Sequence, residues 1–360
     1  MKTKLNALIC NVVYSPIGNK IVSLLGGPKL YAEFVTWKRK KLYLSVAKQE
    51  NQKGTMLGSL EDYRCALENH WVSYDEYAYL YEFYKKTEDE RSEYVSLLKM
   101  FYFYKRYGRG VVLPMLRDKQ KFLKAFSKVI HREWLYVPEA TYDQFQQLIT
   151  KYDCIVKPSD GARGAGIFKT YKEDKKRNDK ELYEQCVRYE MVVEQCIEAC
   201  DELKAFHPLS LNTIRVVTIT GKDKSCVFSG VLRTGVGSSV VDNSHAGGVS
   251  AQINVKSGYV ETDGADSKGK KYVCHPDSGI QFKGYRIPKW DLIVETCCSV
   301  AIELGNPITG FDVVVNNQGE IEFIEANFGP DLDVMQTRYG HGIKKELFSL
   351  IKEYCGIEMR

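Results

Sequence analysis

The hydrophobic and polar positions divide the chain into a helical first part and a strand-rich second part. Apolar residues recur close to helical spacing over residues 5–25, and we expect two short helices there because Pro16 and Gly18 interrupt the pattern. Ten of the 24 tyrosines fall between residues 60 and 107, many of them at helical intervals. Residues 1–107 are therefore predicted to be a helical, Tyr-rich region. Its tyrosines would either pack between helices or form an aromatic platform for carbohydrate.

Short apolar and alternating runs predict strands in the second part. Residues 212–220 alternate and are expected to pair with residues 227–234 across a tight turn. Residues 310–315 and 320–327 form a second predicted hairpin. A helix is predicted over residues 291–304. This mixture of segregated helices and antiparallel strands indicates an α+β fold.

A glycine-rich stretch connects two further predicted strands, and basic residues flank it. Glycine adopts positive φ without a steric cost, so such a loop can turn several backbone N–H groups toward one anion. The spacing G-x-x-G-x-G is neither a Walker A loop nor a dinucleotide-binding fingerprint. The stretch is either a phosphate-binding loop or an ordinary hairpin with a flexible tip. Its candidate residues are Lys157, Ser159, Gly161, Arg163, Gly164, Gly166 and Lys169.

Three oxygen-bearing side chains are expected to converge at the second hairpin. Antiparallel pairing brings Asp312 near the end of the strand that carries Glu325 and Asn327. Glu325 and Asn327 share a face because side chains alternate along a strand. Mg²⁺ prefers such hard ligands and often bridges nucleotide phosphates. The alternative is that these polar side chains are simply solvated.

Composition and charge narrow the class of protein. The 360 residues are 44% hydrophobic and 27% charged, which is typical of a globular protein with a large core. Residues 1–53 hold ten Lys and Arg against Glu33 and Glu50, within a chain whose net charge is +5. This basic segment would either contact an anionic membrane surface or pack on the body of the protein. The eleven cysteines show no C-x-x-C pair and predict a reducing cytoplasmic location, with association at the inner membrane face as an option. No nucleic-acid partner is expected.

The order of these motifs resembles the ATP-grasp superfamily, and residues from about 70 to 340 resemble the sugar-transfer-associated ATP-grasp family. The resemblance implies two α+β subdomains that enclose ATP, over residues 108–197 and 198–360. Typical members begin with a parallel α/β domain, and here a helical region stands in its place. The motifs that carry the resemblance are Asp118-Lys119, Val156-Lys157-Pro158 with its glycine loop, Val193-Glu194-Gln195-x-Ile197, Leu211-Asn212-Thr213-Ile214-Arg215-Val216 and Glu325-Ala326-Asn327.

The resemblance also implies roles in nucleotide binding. Lys119 and Lys157 would contact the phosphates of ATP, and the loop over residues 160–166 would close over them. The adenine and ribose would be bound further along the chain, with two candidates for the ribose hydroxyls. The residues implied for the adenine edge are Glu194, Gln195 and the backbone near Ile197, and those for the ribose are Asp201 or Glu202.

The remaining roles concern the reaction. Arg215 and Arg233 would face the γ-phosphate and the transferring group, and Asp312, Glu325 and Asn327 would hold Mg²⁺. Asn243 is implied to lie near the acceptor. His245, in the same segment, is either an acid/base group or a structural loop residue.

The implied activity is an ATP-dependent carboxylate–amine ligase that works through an acyl phosphate. The expected substrates are a small-molecule or glycan carboxylate and an amine, such as a sugar acid and an amino acid, in surface-polysaccharide or capsule synthesis. The alternatives are a kinase with the same fold and a non-catalytic nucleotide-binding scaffold. Three convergent metal ligands favour an enzyme over a scaffold.

Overall fold

The chain forms two compact units in the computed structural model, which describes residues 16–160, 166–242, 247–330 and 332–359. The first unit comprises Met1–Gly108, Asp331–Glu353 and Ile357–Arg360, as far as these are described. The second comprises Arg109–Pro330 and Tyr354–Gly356. Residues 331–353 thus belong with the N-terminal region, whereas the sequence analysis placed them with residues 198–330.

The first unit is helical. One long helix spans Pro16–Lys53, so the expectation of two short helices is wrong for the described part, and residues 5–15 lie outside it. Pro16 begins this helix, at the position where a missing N–H is tolerated. Ser59, Thr87 and Ser96 cap three of the following helices through side-chain oxygens. The other helices of this unit are Leu60–His70, Glu88–Ser92, Leu97–Tyr107, Asp333–Tyr339 and Lys344–Leu350, with short turns of π- or 3₁₀-helix at Glu76–Leu80 and Phe83–Lys85.

Tyrosines form much of the core of the first unit. Tyr63 and Tyr77 are fully buried and meet edge to face, with ring centres 5.2 Å apart. Tyr81 and Tyr94 lie 4.9 Å apart in the same cluster. Such pairs stabilise a core beyond their buried area. The prediction that the tyrosines pack between helices is confirmed for these residues, while Tyr79 remains exposed.

A four-stranded antiparallel sheet begins the second unit, in the spatial order β1-β4-β2-β3. The predicted strands on both sides of the glycine loop are β2 and β3 of this sheet. A helix spans Lys119–Ala125, with Asp118 as its cap. The strands are β1 (Trp134–Tyr136), β2 (Cys154–Pro158), β3 (Phe168–Thr170) and β4 (Met191–Gln195).

A seven-stranded antiparallel sheet follows, in the order β11-β10-β5-β6-β7-β8-β9. Both predicted hairpins are confirmed as the pairs β5/β6 and β10/β11. The helix Trp290–Leu304 packs on this sheet and ends at Gly305, which adopts φ 63°. The strands are β5 (Ile214–Thr220), β6 (Ser225–Thr234), β7 (Val249–Ile253), β8 (Gly264–Ala265), β9 (Lys271–Tyr272), β10 (Ile308–Val315) and β11 (Ile321–Asn327).

The remaining helices of the second unit are short. None of the helices in the described part of the chain has both the length and the apolar character needed to cross a membrane. Contact of the basic N-terminus with a membrane surface stays a prediction. The short helices are Val112–Arg117, Tyr142–Lys151, Asp179–Arg188 and Asp201–Lys204, with 3₁₀ turns at Ser127–Val129 and Val137–Glu139, and a π-helical turn at Ile351–Cys355 joins the two units in sequence.

Candidate active site

Lys157 is positioned by an ion pair in the four-stranded sheet. Its Nζ lies 2.5 Å from Oε1 of Glu194, which the neighbouring strand β4 carries. Both side chains are largely buried. Because this pair is shielded from water, it holds the lysine in one geometry.

Arg132 extends this pair to the second sheet. Its Nε donates to Oε2 of Glu194 at 2.5 Å, and its Nη1 donates to Glu322 on β11. Nη1 also donates to the carbonyl of Phe323 at 2.8 Å. Arg132 is almost fully buried and thus links one strand of each sheet. The sequence analysis missed Arg132 because it belongs to no motif.

The Glu194 carboxylate is ionised within this network. Burial alone would raise the pKa of Glu194, but the charges of Lys157 and Arg132 hold it below its usual value. Its oxygens face these two cations. Glu194 therefore orients Lys157, and its role at the adenine edge stays a prediction.

Lys119 lies at the start of its helix, next to the strand that carries Lys157. Its backbone N–H donates to the Ser159 carbonyl at 2.9 Å, and the Ser159 hydroxyl donates to Asp118 at 2.9 Å. Burial lowers the pKa of Lys119, and the nearby charge of Lys157 lowers it further, while Glu325 opposes the shift. The two predicted phosphate-binding lysines are thus close enough to repel each other. An anion beside them would relieve that repulsion.

Two arginines of the seven-stranded sheet hold Asp312. Arg215 lies directly opposite Asp312 in the β5/β10 register and forms a bidentate ion pair with it, in which Nη2 lies 2.7 Å from Oδ2. Arg233 on β6 donates to the same oxygen at 2.8 Å. Burial would raise the pKa of Asp312, but the two guanidinium groups hold it below its usual value. The predicted arginine pair is brought together here.

Glu325 pairs with Asp312 in the β10/β11 register and is the exposed carboxylate of this cluster. Within the described part of the chain it forms no hydrogen bond or ion pair. Desolvation by the surrounding protein raises the pKa of Glu325, and repulsion from Asp312 adds to this. Arg215, Arg233 and Lys157 act in the opposite direction. Lys157 of the four-stranded sheet and the exposed Glu325 of the seven-stranded sheet are therefore close enough for their charges to interact.

Glu325 and Asn327 fit a magnesium ion better than Asp312 does. The buried Asn327 amide nitrogen has no hydrogen-bond partner among the described residues, so it is available to donate to a phosphate while the amide oxygen ligates the ion. Glu325 is an uncommitted carboxylate on the same face of β11. The Asp312 oxygens are already bound to arginines. The described residues contain no group of three or more His, Cys, Asp or Glu that could hold a metal. Two of the three predicted ligands thus suit a hard cation that also binds phosphate.

A comparison with protein families decides the kind of fold. The model of the sugar-transfer associated ATP-grasp family matches residues 100–352. The chain belongs to this family. Its two sheets are the α+β architecture that the resemblance implied, preceded by a helical region. The membership supports an ATP-dependent enzyme.

Solved structures similar to this ATP-grasp protein include three enzymes. The ATP-grasp ligase PsnB, complexed with a minimal precursor, is 14% identical with a TM-score of 0.43, over 74% of this chain and 70% of that chain. The N5-carboxyaminoimidazole ribonucleotide synthetase from Thermotoga maritima is 14% identical with a TM-score of 0.37, over 63% and 45%. The biotin carboxylase from Campylobacter jejuni, complexed with β,γ-ATP, is 14% identical with a TM-score of 0.45, over 71% and 49%. The chain thus spans less than half of the latter two. No curated protein matches the sequence.

The other predicted residues that the structure describes lie at the end of β4, on a short helix and in the glycine loop. The Gln195 side chain accepts a hydrogen bond from the Glu133 backbone at 3.1 Å, and Ile197 packs against the core. Asp201 and Glu202 begin a short helix and are both exposed, so the structure does not choose between them. Gly166 adopts φ 73°, as a glycine turn requires. Five predicted residues lie outside the described part of the chain: Gly161, Arg163, Gly164, Asn243 and His245.

Proposed function

We propose that this ATP-grasp protein is an ATP-dependent carboxylate–amine ligase. One observation carries the proposal: cationic side chains on the sides of both sheets interact electrostatically with the exposed Glu325 carboxylate. Lys119 and Lys157 approach it from the four-stranded side, and Arg215 and Arg233 from the seven-stranded sheet. Such an arrangement suits a polyphosphate that is bound between the sheets.

The residues supply electrostatic catalysis. In the proposed reaction, a carboxylate oxygen of the substrate bonds to the terminal phosphorus of ATP while the bond to ADP breaks. The amine then attacks the acyl carbon, phosphate leaves, and the amine loses a proton. Lys119, Lys157 and the two arginines would neutralise the charge that spreads over the transferred phosphoryl group. No covalent enzyme nucleophile is needed.

Glu325 and Asn327 would hold Mg²⁺. When bound, the ion would supply charge neutralisation for the β- and γ-phosphates. The Arg215–Asp312–Arg233 cluster has a separate task, because Asp312 fixes both guanidinium groups in place. Fixed donors of this kind lose little free energy to reorganisation during the reaction.

The proposed substrates are a sugar acid or amino acid as the carboxylate, and an amino acid or amino sugar as the amine. The family description, sugar-transfer associated, supports a role in surface-polysaccharide or capsule synthesis at the cytoplasmic side. A carboxylate substrate also suits a site that contains lysine and arginine side chains.

The decisive experiment measures ADP release from the full chain with ATP, Mg²⁺ and a matrix of sugar acids and amines. We expect release that requires both substrates, with an amide-linked product in mass spectrometry. Lys157→Ala should abolish most of it, and the exposed Lys175→Ala should not. A stable phosphoester product would identify a kinase instead, and nucleotide binding without turnover on any pair would favour the scaffold.

A further inference from the structure

The first unit contains a groove that the proposed reaction does not use. It has a volume of about 640 Å³ and lies among the helices Pro16–Lys53, Leu60–His70 and Leu97–Tyr107. Small-molecule sites in proteins typically measure roughly 300–1,000 Å³. The residues that line the groove include Thr36, Trp37, Lys40, Lys41, Trp71 and Tyr102.

Aromatic rings and lysines alternate along this groove. Trp37 is 54% exposed, which is unusual for so large an apolar side chain. The Lys41 ammonium lies 3.8 Å from the centre of the Trp37 ring, and that of Lys40 lies 4.8 Å from the centre of the Trp71 ring. Tyr102 meets Trp71 edge to face. The groove therefore presents flat apolar surfaces with positive charge directly above them.

More lysine side chains than carboxylates lie around Trp71. Lys99 lies 5.9 Å from the centre of the Trp71 ring. Burial lowers the pKa of Lys99 to about 8, and the like charges of Lys344 and Lys40 lower it in the same direction. Lys40 pairs with the exposed Glu68 at 3.4 Å. An anion bound in the groove would relieve the repulsion among these lysines.

Hydrogen-bonding groups lie beside the rings. Thr36 is only 5% exposed, and its hydroxyl has no partner within the described residues. The Glu33 and Glu68 carboxylates also line the groove and accept hydrogen bonds. Acceptors next to an exposed ring suit a molecule that has both an apolar face and several hydroxyl groups. Sugar rings have that combination.

We propose that this groove binds a phosphorylated sugar. The lysines contact the phosphate, the Trp37 ring packs against the sugar face, and Thr36, Glu33 and Glu68 contact the hydroxyls. An anionic membrane is a poorer fit for the same surface. The groove is concave and lies among three helices, whereas a membrane contact needs a flat or protruding surface.

The test measures binding of glucose 1-phosphate to the full chain by tryptophan fluorescence and calorimetry. We expect Trp37→Ala and Lys41→Gln each to weaken binding by about tenfold or more. The matched controls are Leu42→Ala and Lys48→Gln, which change exposed residues of the same helix that do not line the groove. Both controls should bind like the parent. Lys157→Ala should also bind normally, which keeps this result separate from the proposed ligase activity.

Three outcomes would overturn the proposal. The first is equal affinity for inorganic phosphate and glucose 1-phosphate, which would show an anion site without sugar recognition. The second is equal affinity of the parent and Trp37→Ala for glucose 1-phosphate. The third is no binding of glucose 1-phosphate together with sedimentation on phosphatidylglycerol vesicles that Trp37→Ala abolishes, which would make the surface a membrane contact.

Discussion

Arg132 is the residue on which two buried carboxylates depend. Replacing it by methionine keeps much of the volume but leaves Glu322 without its cation and Glu194 with Lys157 alone. Removing one partner of a buried ion pair typically costs about 3–5 kcal/mol. We therefore expect Arg132→Met to lower the free energy of unfolding by about that amount, as measured by urea denaturation.

The control for Arg132 is an exposed ion pair of the same region. Lys151 and Glu133 lie 2.8 Å apart at the surface. Exposed pairs contribute at most about 1 kcal/mol, so Lys151→Ala should change stability little. If both variants lost the same free energy of unfolding, Arg132 would stabilise the fold no more than an exposed ion pair does.

Glu325 offers a test of the metal site. Glu325→Gln keeps the shape and removes one negative charge, so the melting temperature should stay close to that of the parent. ADP release should fall by about a hundred- to a thousandfold, the scale of losing a main electrostatic stabiliser. Raised Mg²⁺ should restore part of the loss. Glu295→Gln, an exposed change on the helix Trp290–Leu304, serves as the control. Parental turnover in Glu325→Gln would rule out its role as a ligand.

The residues of the candidate site were predictable where a motif carried them. Lys157, Arg215 and Glu325 belong to short patterns that the sequence displays, and strand pairing places Arg215 and Glu325 on either side of Asp312. Arg132 was not predictable, because its partners Glu194 and Glu322 are 62 and 190 residues away in the sequence. The pairing of Asp312 with two arginines likewise depends on a strand register that spacing alone does not give.

At the scale of elements, Glu76 connects two helical segments of the first unit. It is buried, and its two oxygens accept the backbone N–H groups of Ser73 and Leu97, each at 2.7 Å. Burial raises its pKa to about 7, with a further contribution from Asp333. Below the unfolded value of 4.5 the carboxyl is protonated in both states. Between about 4.5 and 7 only the folded state retains the proton, so stability falls as the pH rises through this window.

We predict that the Glu76 carboxyl makes the free energy of unfolding depend on pH. From pH 4.5 to 7.5 the parent should lose up to about 3 kcal/mol relative to Glu76→Gln, in denaturant titrations of the full chain. The exposed Glu61→Gln should retain the parental slope. Parallel curves for the parent and Glu76→Gln would show that folding does not raise the pKa of Glu76.

The elements themselves were predicted best where periodicity was long and turns were clear. Alternation over residues 212–220 and the Asn316–Gly319 turn defined both hairpins, which the structure confirms. The helix Pro16–Lys53 was misread, because Pro16 was taken as an interruption when it is the first helical residue. A proline is tolerated in the first turn of a helix, so it marks a start as readily as a break.

At the scale of the molecule, the first unit is completed by a distant segment. Gln336 accepts the Val95 N–H at 2.8 Å and donates to the Val95 carbonyl and the Tyr81 hydroxyl. Gln336→Ala would leave buried backbone groups of Val95 unpaired, at about 1–3 kcal/mol each.

We expect Gln336→Ala to change hydrogen exchange in the first unit only. Hydrogen exchange should accelerate in the helices Leu60–His70 and Leu97–Tyr107, while the strand Ile214–Thr220 keeps its protection. Gln318→Ala, in an exposed turn, is the control. Acceleration spread evenly over both units would contradict the division of the chain.

The same division has a consequence for the newborn chain on the ribosome. Residues 109–330 must be synthesised between the two parts of the first unit. At a rate of about 5–20 residues per second this interval lasts on the order of ten to forty seconds. For that time the aromatic core around Tyr63 and Tyr77 lacks its closing segment, while the strands of the second unit are already available to pair. The unit that begins first is therefore the one that is finished last.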